Sequence, residues 1–277
     1  MRTLRRVVLR SGNRLMEHGE RLDIALVRRG LADSRERAQG LILAGVVTVA
    51  GQTAHRASSR IAPDVTISIC GPDHPFVSRG GLKLAAALKQ FAIDPSGMTA
   101  VDIGASTGGF TDCLLQCGAA KVYAVDVGYG QLAWRLRQDP RVVVIERCNA
   151  RYLDRAMIPE KVHVVTIDVS FISLALILPA VDRILDEGGM VLALLKPQFE
   201  IGKGKLGKGG VIRDEQVRRD TVEQVRRTLE AQGWLWLEEM PSPIAGQKGN
   251  VEYVVRLRRG QTAVSSSEMR GIESRWA

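Results

Sequence analysis

The sequence predicts an α/β protein, a doubly wound domain with a mostly parallel sheet preceded by a small α+β domain. Three observations carry that prediction. Residues 100–103, 122–125, 142–145, 163–167 and 190–195 are near-continuous apolar runs separated by helical spacers, the pattern of strands covered on both faces. The first run leads through a glycine-rich turn into a helical pattern, TAVDIGASTGGFTDCLLQCG over residues 99–118. Asp102, Asp126, Asn149, Asp168 and Lys196 fall at or just beyond the ends of successive runs, the edge at which open α/β sheets bind ligands.

Residues 1–20 hold five arginines and little apolar periodicity, and read as a basic arm in which Met16 offers a second start. A short helix follows from Arg21 to Gly30. Asp33 and Ser34 are N-cap candidates for the next helix; Asp33 with Glu36 spells a capping box, and Ala38, Leu41 and Ile42 form an apolar stripe before Gly45. Strand-like residues then break at Ala50-Gly51 and resume over 65–69, so residues 21–70 make a compact ααβ domain. Residues 71–75, GPDHP, are a linker by composition. The larger domain spans residues 76–258 and opens with SRGGLKL, a helix through Phe91 closed by Asp94-Pro95.

The turn contains Gly104, Ala105, Ser106, Gly108 and Gly109. Glycines let backbone approach a ligand, and the following helix start offers N–H groups, so a nucleotide-like cofactor is expected there. Ser106 stands where G-x-G-x-x-G needs glycine, which argues against a dinucleotide and, with no hydride-transfer site, against an NAD-dependent oxidoreductase. Asp126 ends the next strand at about the 20-residue offset from which a carboxylate reaches ribose hydroxyls. The cofactor set is therefore Asp102, Gly104, Ala105, Ser106, Gly108, Gly109, Asp126 and Asn149.

Beyond Lys196 the chain is rich in glycine and lysine. Residues 202–208 satisfy G-x-x-x-x-G-K, but Gly209 occupies the Ser/Thr position that binds magnesium, so a phosphate-contacting lid is expected rather than NTP hydrolysis. An arginine-rich helix over 214–232 and two closing strands over 234–240 and 251–257 complete the domain, and 259–277 read as a disordered tail.

Composition narrows the partners. Lys+Arg 39 against Asp+Glu 30 give a formal charge of +9, with a sequence pI near 9.7, which favours a polyanion. Cys70, Cys113, Cys117 and Cys148 lack zinc-site spacing and are too sparse for a disulfide scaffold, so no metal is expected. No run approaches the ~18 apolar residues of a membrane span and no secretory signal follows the basic start; the expectation is a cytoplasmic protein with no membrane partner.

Arg21-Leu22-Asp23, the run SRERA over 34–38 and GVVTVAG over 45–51 resemble the S4 RNA-binding module. That resemblance implies that Arg21, Arg35 and Arg37 face RNA phosphates. The larger domain resembles the FtsJ-like RNA 2'-O-methyltransferases, and residues 21–257 together look like the TlyA (hemolysin A) family. The resemblance implies a Rossmann-like methyltransferase with S-adenosyl-L-methionine as cofactor. Its catalytic Lys-Asp-Lys-Glu set falls on Lys83 in SRGGLKL, Asp168 in IDVSF, Lys196 in LLKPQFE and Glu252 in NVEYVV. It also implies cytidine 2'-O-methylation with ribosomal RNA or ribosomal subunits as partner. A ribose hydroxyl must lose its proton as it attacks the sulfonium methyl, so Lys196 is expected to be base or orienting group, positioned by the other three. Alternatives are an inactive RNA-binding assembly factor or the membrane-active hemolysin of the family name. No residue selects the nucleotide, the subunit or the oligomeric state.

Overall fold

A computed structural model describes residues 19–32, 34–43, 45–69, 74–201, 210–246 and 249–260. The arm over residues 1–18, Asp33 with its capping box, Cys70, the lid over 202–209 and the tail from 261 onward lie outside the described residues. The chain divides into two compact units, Met1–Ala150 and Arg151–Ala277.

The first unit begins with β1 (Glu20–Arg21) and α1 (Leu22–Arg28), which buries Leu22, Ala25 and Leu26 at helical spacing. Gly30, at φ 65°, ends that helix in the left-handed region. In α2 (Arg35–Leu43) the N-cap bond comes from Ser34, whose Oγ accepts the Arg37 N–H at 3.1 Å. β2 (Val47–Val49) turns through Ala50 and Gly51 into β3 (Gln52–Thr53). Both turn residues have positive φ, 50° and 81°, as a two-residue hairpin whose twist matches its strands requires. β4 (Arg60–Ile61) pairs with β1, and β5 (Ile67–Ile69) with β2, both antiparallel. The sequence shows no sign of the β1–β4 pair, because two-residue strands carry no period. Leu22, Leu26, Ala38, Ile42, Val47 and Ile67 close the core of this small domain.

α3 (Gly80–Gln90) buries Gly81, Leu84, Ala87 and Leu88. It leads to β6 (Thr99–Ile103), α4 (Gly109–Gln116), β7 (Lys121–Val125), the short α5 (Trp134–Arg137) and β8 (Val142–Ile145). β6 pairs with β7 and β7 with β8, both parallel.

In the second unit β9 (Val162–Ile167) is followed by α6 (Leu174–Ile184), capped by Ser173, and by β10 (Leu185–Leu195), parallel to β9. A four-residue α7 (Pro197–Glu200) and the long α8 (Glu215–Ala231) come next. Asp214 caps α8 by accepting the Gln216 and Val217 N–H groups. Its arginines are largely offset along the helix: Arg219 pairs with Glu215, Arg227 with Glu223 and Arg226 with Glu230. β11 (Trp234–Pro241) and β12 (Tyr253–Arg259) close the unit as an antiparallel pair, with β12 also antiparallel to β10. Arg259, assigned to the tail from sequence, is the last strand residue and pairs with Trp234. Within the first unit the longer strands run in the order β6-β7-β8, and within the second in the order β11-β12-β10-β9.

Candidate active site

The turn after β6 is tied to the end of β7: the Gly104 and Ala105 N–H groups both donate to the Val125 carbonyl, at 2.8 and 3.1 Å. Gly108, at φ 96°, sits in a conformation that L side chains rarely adopt, and a Cβ there would overlap Leu136 and come within 2.8 Å of Leu132. Gly109 begins α4, where a Cβ would come within 2.9 Å of the Gly81 nitrogen. The starts of α3 and α4 are thus packed backbone to backbone.

Asp126, just past β7, takes the Ser106 N–H on Oδ2 at 2.8 Å and the Gly128 N–H on Oδ1 at 2.6 Å. A carboxylate has about four acceptor sites, so capacity for ribose hydroxyls remains. Those bonds also hold Ser106 at φ 49°, while its hydroxyl donates to Gln131 Oε1 at 3.3 Å. Asp102 is fully buried, and its Oδ2 accepts the Thr111 N–H and hydroxyl at 2.9 and 2.7 Å. It fastens the first turn of α4 from beneath. Asn149 is partly exposed one residue beyond Cys148, whose N–H donates to the Asp126 carbonyl at 3.0 Å.

In the second unit, Lys196 follows β10 and is 9% exposed. Its ammonium donates to Asp168 Oδ1 at 2.6 Å and to Ser170 Oγ at 3.1 Å. Leu195 and Tyr253 are register partners, so Lys196, one residue on, and Glu252, one residue back, are the next positions along adjacent antiparallel strands. Glu252 is 3% exposed, and a Cβ on Gly246 would overlap its carboxylate. Lys83 is half-buried on α3, in the first unit. Structure therefore brings Asp168, Lys196 and Glu252 to one end of the second unit.

Two participants escaped the sequence reading. Ser170, two residues after Asp168, is one of many serines and only the fold aims it at Lys196. Glu200 accepts the Leu174 N–H at 2.9 Å and so ties α7 to the start of α6; burial pushes its carboxyl above the usual range. Beside this group Phe171, at φ 65°, sets its exposed ring 4.6 Å from Phe199.

The predicted RNA-facing arginines are partly engaged within the small domain. Asp23 is fully buried and accepts Arg21 on both oxygens, at 3.0 and 2.9 Å, Arg35 at 2.9 Å and Gln39 at 3.0 Å. The Arg21 guanidinium, helped by Arg35 and Gln39 and opposed by burial, holds the Asp23 carboxyl well below the usual carboxylate range. Arg37 is exposed and contributes its backbone N–H to the α2 cap.

The glycine turn and its acceptor carboxylate suit an S-adenosylmethionine-dependent methyltransferase, the class to which the family match assigns the chain. Residues 76–259 match the FtsJ-like methyltransferase family and residues 20–67 the S4 domain. The chain belongs to the FtsJ-like methyltransferase family, with TlyA proteins among its relatives. The 16S/23S rRNA (cytidine-2'-O)-methyltransferase TlyA of Mycobacterium tuberculosis is 47% identical over 244 residues, covering 88% of this chain and 91% of that protein. Hemolysin A of Brachyspira hyodysenteriae is 41% identical over 235 residues, 84% of this chain and 98% of that one. A solved hemolysin structure from Streptococcus thermophilus superposes with a TM-score of 0.70 at 42% identity, covering 87% of this chain and 89% of that chain. The cofactor is S-adenosylmethionine, and an acceptor carboxylate beside a glycine turn at a helix start suits its ribose and charged tail.

Proposed function

We propose that this protein transfers the methyl group of S-adenosylmethionine to the 2'-oxygen of a cytidine in ribosomal RNA, in the cytoplasm. The observation that carries the reading is the Lys196 ammonium held between Asp168 and Ser170 beside Glu252. The same chain is 47% identical to a relative named for that reaction.

An ammonium has three N–H donors, and two are directed at Asp168 and Ser170. The third is left for a substrate oxygen. Lys196 accordingly orients the ribose hydroxyl so that a lone pair faces the sulfonium methyl, while Asp168 and Glu252 fix the ammonium and Lys83 adds a second positive group. Bound S-adenosylmethionine would supply the methyl group, its S–CH3 bond breaking as the O–CH3 bond forms, with S-adenosylhomocysteine as leaving product and the hydroxyl proton passing to water. Alignment supplies most of the acceleration, through effective molarity. Asp126 binds the cofactor ribose, the turn from Gly104 to Gly109 accommodates its backbone-facing edge, and Arg21, Arg35 and Arg37 contact RNA phosphates. Among the described residues no helix is long and apolar enough to cross a membrane.

Single-turnover transfer of labelled methyl to ribosomal RNA, with both ligands saturating, tests the reading. Lys196→Ala is expected to slow the step by ~10²–10⁴ with little change in either affinity. Lys196→Arg should not rescue it, since a planar guanidinium cannot reproduce the compact ammonium between Asp168 and Ser170. A Lys196→Ala protein that transfers at the wild-type rate removes Lys196 from the mechanism. A wild-type protein that binds both ligands and methylates no RNA supports an assembly factor instead.

A further inference from the structure

One loop of the first unit, beside Asp126, displays apolar surface. After Asp126, Val127 is 74% exposed and Tyr129 68%, and Trp134, which opens α5, is 71% exposed. Such side chains ordinarily turn inward, and here the loop is fixed so that they do not. The Gly130 N–H donates to Glu146 Oε1 at 2.8 Å, and the Ala133 N–H to the Thr107 carbonyl at 3.2 Å. Leu132, 5% exposed, and Leu136 turn in against Gly108. The inward positions are taken by leucines, and the aromatic rings are left outside.

Arg147 completes the arrangement. Its N–H donates to the Gly128 carbonyl at 3.0 Å, and its guanidinium lies over the Tyr129 ring, 4.3 Å from the centroid. The backbone there is left-handed, φ 54°, a strain that a residue without a reason to be in place would avoid. Nearby arginines are neutralised: Arg135 pairs with Asp112, Arg137 with Glu146 and Arg141 with Asp139. Among the described residues Arg147 forms no ion pair, and the Tyr129 ring is its partner.

We infer that Tyr129 and Arg147, with Trp134 at the start of α5, form a stacking platform for unpaired RNA bases, separate from the phosphate contacts of the small domain. An exposed aromatic ring backed by a planar cation suits a nucleobase, which has a π face and a polyanionic chain attached. A protein partner would be served by the apolar area but gives no use to an unneutralised arginine held over a ring. The loop is tied to the glycine turn through Thr107 and Gly108, so bases held there lie on the element that binds the cofactor. The inference rests on the proposed RNA methylation, yet its test reads binding alone, so a protein that transfers no methyl can still pass or fail it.

The probes are an oligocytidylate of roughly ten nucleotides, an abasic ribose-phosphate chain of equal length, and a duplex RNA. Tyr129→Ala is expected to weaken oligocytidylate binding about five- to hundredfold without changing the slope of affinity against salt. Tyr129→Phe should bind as wild type, and Trp134→Ala should lose affinity in the same salt-independent way. Abasic and duplex binding, and S-adenosylmethionine affinity as the check on folding, should stay within about twofold of wild type. Unchanged oligocytidylate affinity in both alanine variants overturns the inference. So does an equal loss on the abasic chain with a smaller salt slope, which would make this a phosphate contact. An affinity lost in Tyr129→Ala and not restored by Tyr129→Phe also overturns it.

Discussion

Asp126 holds two backbone N–H groups in the structure described here, from Ser106 and Gly128, and in the proposed site its remaining lone pairs accept the cofactor ribose. Losing charged-group hydrogen bonds of this kind typically costs roughly 1.5–3 kcal/mol, about ten- to hundredfold in affinity. Calorimetry on Asp126→Ala should show that loss for S-adenosylmethionine; wild-type affinity with an intact fold would take Asp126 out of the site. Asp23 is the second residue with a definite expectation, because it is buried and paired with Arg21 and Arg35. Its folded-state pKa is depressed, so its contribution is fully present above the ordinary carboxylate value of 3.8 and is lost as pH falls below it. Asp23→Asn, which leaves two guanidiniums facing an amide, should lower stability by about 1–3 kcal/mol in urea titrations at neutral pH. That difference should hold constant down to about pH 5 and shrink only in stronger acid. A deficit that vanishes near pH 6 would mean that another group sets it.

At the scale of elements, the cofactor turn is specified by backbone that cannot carry a side chain. Gly97 and Gly108 both have positive φ, 72° and 96°, but only Gly108 has neighbours where a Cβ would stand. Gly97→Ala therefore incurs only left-handed strain, about 1–2 kcal/mol. Gly108→Ala adds displacement of Leu132 and Leu136 and should cost at least about 1 kcal/mol more, a further 2–4 °C in Tm. It should also weaken S-adenosylmethionine binding, which Gly97→Ala should leave alone. Equal Tm shifts in the two variants would show that the leucines give way freely. Gly81 belongs to the same logic, since a Cβ there would overlap the side chain of Phe76. These glycines are legible in the sequence as a turn and a cluster; the contacts that make Gly108 and Gly109 necessary come from residues more than 20 positions away.

Taken whole, the molecule carries a formal charge of +9, and its distribution matters more than its size. Arg219, Arg226 and Arg227 of α8 face glutamates one turn along, and Arg21 and Arg35 share the negative charge of Asp23. Arg37 is exposed without a paired carboxylate among the described residues, so it is the cleanest probe of phosphate contact in the small domain. Arg37→Ala should weaken binding to ribosomal RNA and reduce the slope of log affinity against log salt by up to about one, with cofactor affinity unchanged. Arg35→Ala should do the same while also destabilising the fold. A salt slope unaffected by either substitution would leave the S4 helix without the proposed phosphate contacts.

By itself the sequence determined the class of fold, the five parallel-strand segments and the glycine turn, because period, composition and glycine spacing are local properties of a chain. It also determined the family, through motifs whose residues are contiguous. Tertiary structure alone decided what the polar residues at the strand ends touch. Asp102 and Asp126 both follow apolar residues, yet one is buried under α4 and the other is open at the turn. The Lys196–Asp168–Ser170 contact joins segments 26 residues apart, and the Lys196–Glu252 adjacency depends on the β10–β12 register. Arg147 on Tyr129, and the sharing of Asp23 by Arg21, Arg35 and Gln39, were equally invisible. The physical reason is common to all of them: a side chain's partners are set by which segments the sheet places side by side, and neither charge nor spacing along the chain encodes that distance.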